Sequence, residues 1–499
     1  MLNASILSWI TFLPVAGALA TWLMPKRWLR AFALLFTLGI FALTLHLPAH
    51  FHVGQPGFQF ECNLPWIASP AIHYHVGVDG LSMWLVVLVG FLAPLGVLAS
   101  WSAIQDRQRE FYTLFLLQQT AMFGVFVSLD LMLYYGFWEL SLIPITLLIT
   151  IFGRNNGRAA AIKFFLYAFI PSALLLVALL WLYAQTGTFD YVQLQSLLAH
   201  NSTLPATGLW VVSLAFLLAF AVKVPVFPLH AWLADGISEA PAAVAMILAG
   251  KLGLYSLLRF HVGLFPAQAE RIAPVLVALG AIGILYGALL ALVQTDMKRL
   301  AAYGTLSALS FCVLGIYAFT TASMDGAVFQ ILSESVSGGA LFALLGFFYE
   351  RYATYDMRQL GGVAQRLPGL ATLFVLTALS LIGLPALNGF VGEFLILSGS
   401  FSVHPKLAAA ATLGVILSAA YMLWMLQRVF YGPQSELASN ATVRDVNLRE
   451  RCALWPAVAL MAAMGVASVF WMRAIDAKVP TLAPAAAQTF STARMANAQ

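Results

Sequence analysis

Apolar runs close to the roughly twenty residues that span a bilayer follow one another along almost the whole chain. They fall at about 2–24, 28–47, 77–100, 111–128, 131–152, 160–186, 208–233, 241–260 and 272–293, then at 298–319, 327–349, 370–401, 407–431 and 453–472. This pattern predicts an all-α polytopic membrane protein of about fourteen transmembrane helices. The runs leave no room for a soluble unit, so residues 1–499 are expected to form a single transmembrane domain. Between the runs, 48–76 is expected as a loop, and the mildly amphipathic 189–200 is expected at the outer membrane surface.

The pattern breaks where polar chemistry intrudes. The stretch 221–232, AVKVPVFPLHAW, places Lys223, Pro225, Pro228 and His230 close together after an apolar run. A lysine at membrane depth costs about 2.5–3.5 kcal/mol on insertion scales and marks a functional candidate. Two prolines remove backbone donors, which at that depth requires the freed carbonyls to face protein or a water-filled cavity. A broken seventh helix with an ionisable group at the break is therefore expected. A second interruption, at Gly383, Pro385 and Gly389 in the twelfth helix, precedes Glu393. Two interrupted helices in corresponding halves suggest paired repeats at about 111–260 and 272–431.

Other ionisable residues lie inside apolar runs: Glu139, Lys251 between Gly250 and Gly253, and Glu334 between Ser333 and Ser335. An intramembrane acid or base generally faces a cavity or a partner, which makes each a candidate for proton transfer. Asp130 stands at a helix start, where capping explains it equally well. The Asp296, Lys298 and Arg299 cluster reads as an anchor at the membrane boundary.

Composition agrees, with 61% hydrophobic and 9% charged residues where a soluble domain has about 45–50% and 25%. The net charge of +5 reads as cytoplasmic loop charge rather than a nucleic-acid surface. Of the 25 Lys and Arg, seventeen fall on one side of the predicted topology and six on the other, with Lys223 and Lys251 inside the membrane. Both termini are then external. Arg259 and Arg271 lie on the minority side, as do Lys406, Arg473, Lys478 and Arg494. The first run has its basic residues, Lys26, Arg27 and Arg30, behind it, so it reads as a retained helix rather than a cleaved signal.

Cys62, Cys312 and Cys452 are too dispersed for a disulfide or a CxxC metal site. His50, His52, His73 and His75 form two i, i+2 pairs in one loop, and loop histidines at this spacing are expected to be solvated rather than metal-bound. There is no GxGxxG fingerprint and no cysteine cluster, so no site for NADH, flavin or iron–sulfur is expected.

Five strings carry a resemblance: GVDGLSMWL (77–85), FWELSLIP (137–144), VKVPVFPLHAWLADGISEAP (222–241), DMKRLAAYGTLS (296–307) and NGFVGEF (388–394). Together they resemble the antiporter-like membrane subunits of proton-translocating NADH–quinone oxidoreductase, respiratory complex I. The GVDG and FVGEF strings favour the subunit M (chain 4) family over its paralogues. The resemblance implies fourteen core helices in inverted five-helix repeats around a hydrophilic axis. It assigns proton-translocating roles to Glu139, Lys223, Lys251 and Glu393, with His230 as the histidine after the broken helix. It also implies a bacterial inner-membrane location and partners of the L and N type. NADH, FMN, iron–sulfur clusters and quinone would be held by other subunits. A cation/proton antiporter subunit is the alternative. Four features depart from the family pattern, one being ADGI at Ala234–Ile237 where the family's string is PDAH. Lys251 directly follows Gly250 where three apolar residues usually intervene, and Ala308 and Glu334 stand where midplane histidines are expected. Glu334 is the expected replacement for the second of these.

Overall fold

The computed structural model describes residues 2–200, 204–248, 251–440 and 443–479. Arg494, counted above on the minority side, lies outside the described residues, as does Gly250. The chain opens with α1 (Leu2–Ala20), α2 (Leu29–Thr44) and the short α3 (His46–His50). A hairpin, β1 (Gln59–Ile67) and β2 (Ile72–Val78), then occupies more than half of the expected 48–76 loop. The antiparallel register pairs Asn63 with His75 and Cys62 with Val76. The loop reading missed a strand that is buried on both faces at its end: β2 buries Ile72 and the whole of 75–78.

The helices that follow are α4 (Met83–Ser100), α5 (Gln108–Val127), α6 (Leu131–Leu140), α7 (Leu142–Phe152), α8 (Gly157–Thr186) and α9 (Tyr191–His200). Next come α10 (Ala206–Lys223), α11 (Ala231–Glu239), α12 (Ala242–Leu248), α13 (Lys251–Ser256), α14 (Pro266–Leu292), α15 (Met297–Tyr317) and α16 (Thr321–Tyr352). The chain continues through α17 (Pro368–Leu381), α18 (Asn388–Phe401), α19 (Pro405–Leu426), α20 (Glu436–Asn440), α21 (Leu448–Val466) and α22 (Val469–Asp476).

Among the described residues, 10 helical stretches are long and apolar enough to cross a membrane, or up to 11 if the 67° bent pair α21 and α22 is one span. Shorter apolar helices account for part of the difference from fourteen: Ser5–Ala20 of α1, and α17. The second interruption separates α17 from α18, and neither is long enough alone.

The helix α16 lies in the core although it carries Asp325, Gln330 and Glu334. It packs against α4, α12, α15, α17, α18, α21 and α22, and its span is 94% buried. By contrast α8 leaves Ile162, Ile170 and Val177 exposed, as a lipid-facing helix would.

Two fastenings of identical construction hold the helix ends. Asp130 caps α6 by accepting from the amides of Met132 and Leu133, and the backbone beside it pairs with 189–191: Leu131 N to Phe189 O, 2.9 Å, and Tyr191 N to Leu129 O, 2.8 Å. Asp296 caps α15 through the amides of Lys298 and Arg299. Met297 N meets Tyr355 O and Met357 N meets Thr295 O, both at 2.9 Å. The sequences agree too, with TFDY at 188–191 and TYDM at 354–357. Asp130 starts the Leu131–Phe152 span, while Arg154 just past its end lies 4.0 Å from Asp296. The two fastenings therefore sit at opposite ends of that span.

Candidate functional site

The helix α10 ends on Lys223, and helix resumes only at Ala231, as the two prolines in 224–230 require. Trp232 Nε1 donates to the carbonyl of Val222 (2.8 Å), one of those left free at the end of α10. Gly253 lets α13 close against this break, since a Cβ there would lie 2.7 Å from Val224 Cγ2 and 2.8 Å from its backbone nitrogen.

Lys223 is buried, and its Nζ donates to Ser141 Oγ at 2.7 Å while sitting 4.3 Å from the centre of the Trp138 ring. Trp138 Nε1 donates to Ser172 Oγ (3.0 Å), and that hydroxyl donates in turn to Glu139. Glu139 lies within electrostatic reach of Lys223. Among the described residues, however, the two form no direct ion pair. Two serines and an indole stand between them, and these three intermediaries escaped sequence reasoning. FWELS carries two of them, but nothing in spacing alone marks a serine as a lysine's partner.

The second group gathers where α13, α15, α16, α18 and α19 meet. Lys251 starts α13, three positions beyond the end of the described α12, and its Nζ donates to Met246 O at 2.9 Å. Glu334, in the middle of α16, lies within electrostatic reach of both Lys251 and Glu393. All three are buried. Thr305 Oγ1 of α15 donates to Glu334 Oε1 at 3.3 Å. Of the flanking serines, Ser335 turns away from it: its Oγ donates to Ile331 O within its own helix, at 2.6 Å. Glu393 lies beneath the second interruption. Gly383 adopts φ +72°, and a Cβ there would come 2.7 Å from Glu393 Oε2, so this position favours glycine on two counts. Tyr421 and Cys312 also lie near both carboxyls.

His230 stands apart from both groups. Its ring stacks on Phe227 (5.6 Å) and meets Tyr286 edge-on (5.0 Å), and its Nδ1 has no partner. The anchor reading of Asp296 and Arg299 fits the capping role and the Arg299–Asp235 pair at 3.2 Å. It does not fit Lys298, which is buried with its Nζ on the carbonyl of Ala240. Arg259, expected among the charges of an outer connection, is fully buried. Its Nη1 donates to Asp79 Oδ2 at 2.8 Å, with Lys478 Nζ 3.3 Å from the same carboxyl. Asp79 lies in the GVDG string, and its burial was not legible there.

The four loop histidines are engaged separately. His50 Nδ1 meets His46 O (3.0 Å), His73 Nδ1 meets Asn63 (2.8 Å), and Gln59 binds the backbone of His52. His75 places one ring nitrogen on Asp190 and the other on Glu61 (2.8 Å). Burial alone would pull that imidazole down, but the two carboxylates, each accepting from it, raise it above the usual histidine range.

Acids and lysines buried beside two helix interruptions, in a bundle with lipid-facing outer helices, define an antiporter-like membrane subunit. Residues 128–418 match the family described as NADH:quinone oxidoreductase/Mrp antiporter, TM, and 7–127 match NADH-ubiquinone oxidoreductase chain 4, amino terminus. NADH-quinone oxidoreductase subunit M of Rhodobacter capsulatus is 40% identical, covering 93% of each chain. That of Escherichia coli (strain K12) is 36% identical, over 92% of this chain and 94% of that one. A chain of respiratory complex I from Thermus thermophilus with bound NADH superposes with a TM-score of 0.85 at 32% identity, covering 95% and 99%. A chain of the Mrp complex from a Dietzia species shares the fold at 22% identity, TM-score 0.82, covering 95% and 52%. The chain belongs to the NADH-quinone oxidoreductase subunit M family, and it is a multi-pass integral membrane protein.

Proposed function

We propose that this chain carries protons across the membrane as a membrane-arm subunit of a proton-translocating NADH–quinone oxidoreductase. The observation that carries the reading is the placement of Glu139 with Lys223, and of Lys251 and Glu334 with Glu393, beside the two interruptions. Fourteen core helices in two inverted five-helix repeats, about 111–260 and 272–431, with helices seven and twelve broken, form the framework. The matched Asp130 and Asp296 fastenings at opposite ends of one span support that symmetry.

In the first half, Glu139 holds a compensating charge near Lys223 through Ser172 and Trp138. A change in a neighbouring subunit that draws Glu139 away leaves a buried ammonium uncompensated, which costs several kcal/mol. Moving one proton against 100 mV takes about 2.3 kcal/mol, so the magnitude suffices. In the second half, Glu334 relays between Lys251 and Glu393, in place of the family's histidine. His230 serves the connection beside the first break.

No redox centre lies in this chain. NADH, FMN, iron–sulfur clusters and quinone belong to partner subunits, and neighbours of the L and N type complete the membrane arm. The location is a bacterial inner membrane with both termini external. The complete complex reconstituted in liposomes tests this: proton uptake should follow quinone reduction and be indifferent to a sodium gradient. Proton movement driven by sodium without quinone reduction would instead make the chain a cation/proton antiporter subunit.

A further inference from the structure

One face of α2 presents Arg30, Leu34, Leu38, Phe41 and Leu45 in line, at the three- and four-residue spacing that keeps side chains on one side of a helix. With α4 and α21 it lines two cavities. One, of about 590 Å³, includes Leu34, Leu38, Leu95, Trp101 and Cys452. The other, of about 480 Å³, includes Leu45, Pro48, Trp84, Leu460 and Phe470. Phe41, Phe91 and Pro456 line both, so they form one continuous apolar furrow. From Leu34 to Leu45 the helix rises roughly 16 Å, about half of a hydrocarbon core near 30 Å thick.

One helical turn beyond the furrow, on the side of Leu34 and Trp101, lies a chamber of different character, about 550 Å³, lined by Lys26, Arg27, Arg30, Arg107 and Arg109 with Asp106 and Glu110. Arg30 lines the chamber and shares a helix face with Leu34, which lines the furrow. Its Nη2 donates to Ile104 O (3.1 Å) and Gln105 Oε1 (2.8 Å), and Leu34 lies one turn deeper in the furrow. The Nε atoms of Arg30 and Arg109 are buried without a partner. Basic side chains outnumber acidic ones five to two here, and Trp22 lies beside them, as suits a membrane interface.

We infer that this furrow and chamber together seat one anionic phospholipid. Its phosphate sits among Lys26, Arg27 and Arg107, and an acyl chain lies along α2 toward Phe41. The charge of the chamber decides the occupant. A helix from a neighbouring subunit would fill the apolar half but would leave the basic chamber unanswered, whereas a phospholipid meets both. Basic pockets between membrane helices suit anionic headgroups for this reason.

The test compares lipids retained by the intact complex, extracted in mild detergent and weighed by native mass spectrometry. Lys26, Arg27 and Arg107 are exposed, so their joint replacement by Gln (K26Q/R27Q/R107Q) leaves the packing intact. Retention of phosphatidylglycerol should fall at least about tenfold, with phosphatidylcholine unchanged. Leu38→Trp, which blocks the furrow, should reduce it to a similar extent with the subunits still associated. Undiminished phosphatidylglycerol in the triple variant would overturn the inference. So would loss of neighbouring subunits in Leu38→Trp with lipid retention unchanged, since that would make the furrow a protein interface.

Discussion

The two buried centres are built on opposite principles. At the first, one acid and one base are held apart by Ser141, Ser172 and Trp138, so the charges balance while each ion keeps its own hydrogen-bond partner. At the second, Glu334 lies within electrostatic reach of Lys251 on one hand and of Glu393 on the other, and it receives a single 3.3 Å hydrogen bond from Thr305. Neutrality there requires one proton on the trio, because an uncompensated buried charge is costly. Under the proposed function, the first centre is the one to be pulled apart and the second the one to hold a proton and pass it on.

Removing the base of the first centre should have the largest effect. Lys223→Ala is expected to abolish proton transport while the complex assembles, since alanine fits a helix end but carries no proton. Proton uptake in inverted vesicles, normalised to complex content, checks this, and normal uptake at normal content would contradict it. Next comes Glu334→Gln, which should depress transport severely, with Glu334→His restoring much of it because imidazole titrates near neutrality. Equal loss in both variants, or loss in neither, would take Glu334 off the route and erase the contrast between the centres.

A smaller effect is expected from Ser141→Ala. Hydrogen bonds to charged groups contribute about 1.5–3 kcal/mol, so freeing Lys223 should slow coupled transport by roughly tenfold and shift its pH profile. Ser141→Thr, which keeps the hydroxyl, should preserve the profile. An unshifted profile in Ser141→Ala would mean that the serine only fills space.

The smallest effect concerns the hairpin and serves as a control on both centres. The raised value of His75 means that its contribution to stability is full below the unfolded value, about 6.5, and fades as pH rises through the folded value. His75→Asn should therefore lower thermal stability more at about pH 6 than at about pH 9, with transport per complex unchanged. A loss independent of pH would remove the charged histidine from the account.

Much of this was written in the chain. Apolar runs located most of the helices, and a lysine next to two prolines located the first break, because both are local properties. Asp130 as a cap was legible for the same reason. What stayed hidden depends on contacts between distant segments. Arg259 pairs with a residue 180 positions away, and His75 with one 115 away. Ser172, on a different helix from Glu139, could not announce itself. Counting charges by side also misled at Arg259 and Lys298, because a paired arginine and a lysine bonded to a carbonyl can both stay inside the protein.

The Asp130 and Asp296 fastenings lie at opposite ends of one span, one beside the hairpin and one beside Arg154, and under the proposed topology they meet different solutions. A joint that must serve equally well in two chemically unlike solutions has to be made from parts that neither solution alters. Backbone amides and carbonyls meet that demand, since neither gains or loses a proton across the ordinary range of acidity, whereas the imidazole of His75 does not. The backbone pairing shared by the two joints is therefore expected to be indifferent to the gradient the protein works against.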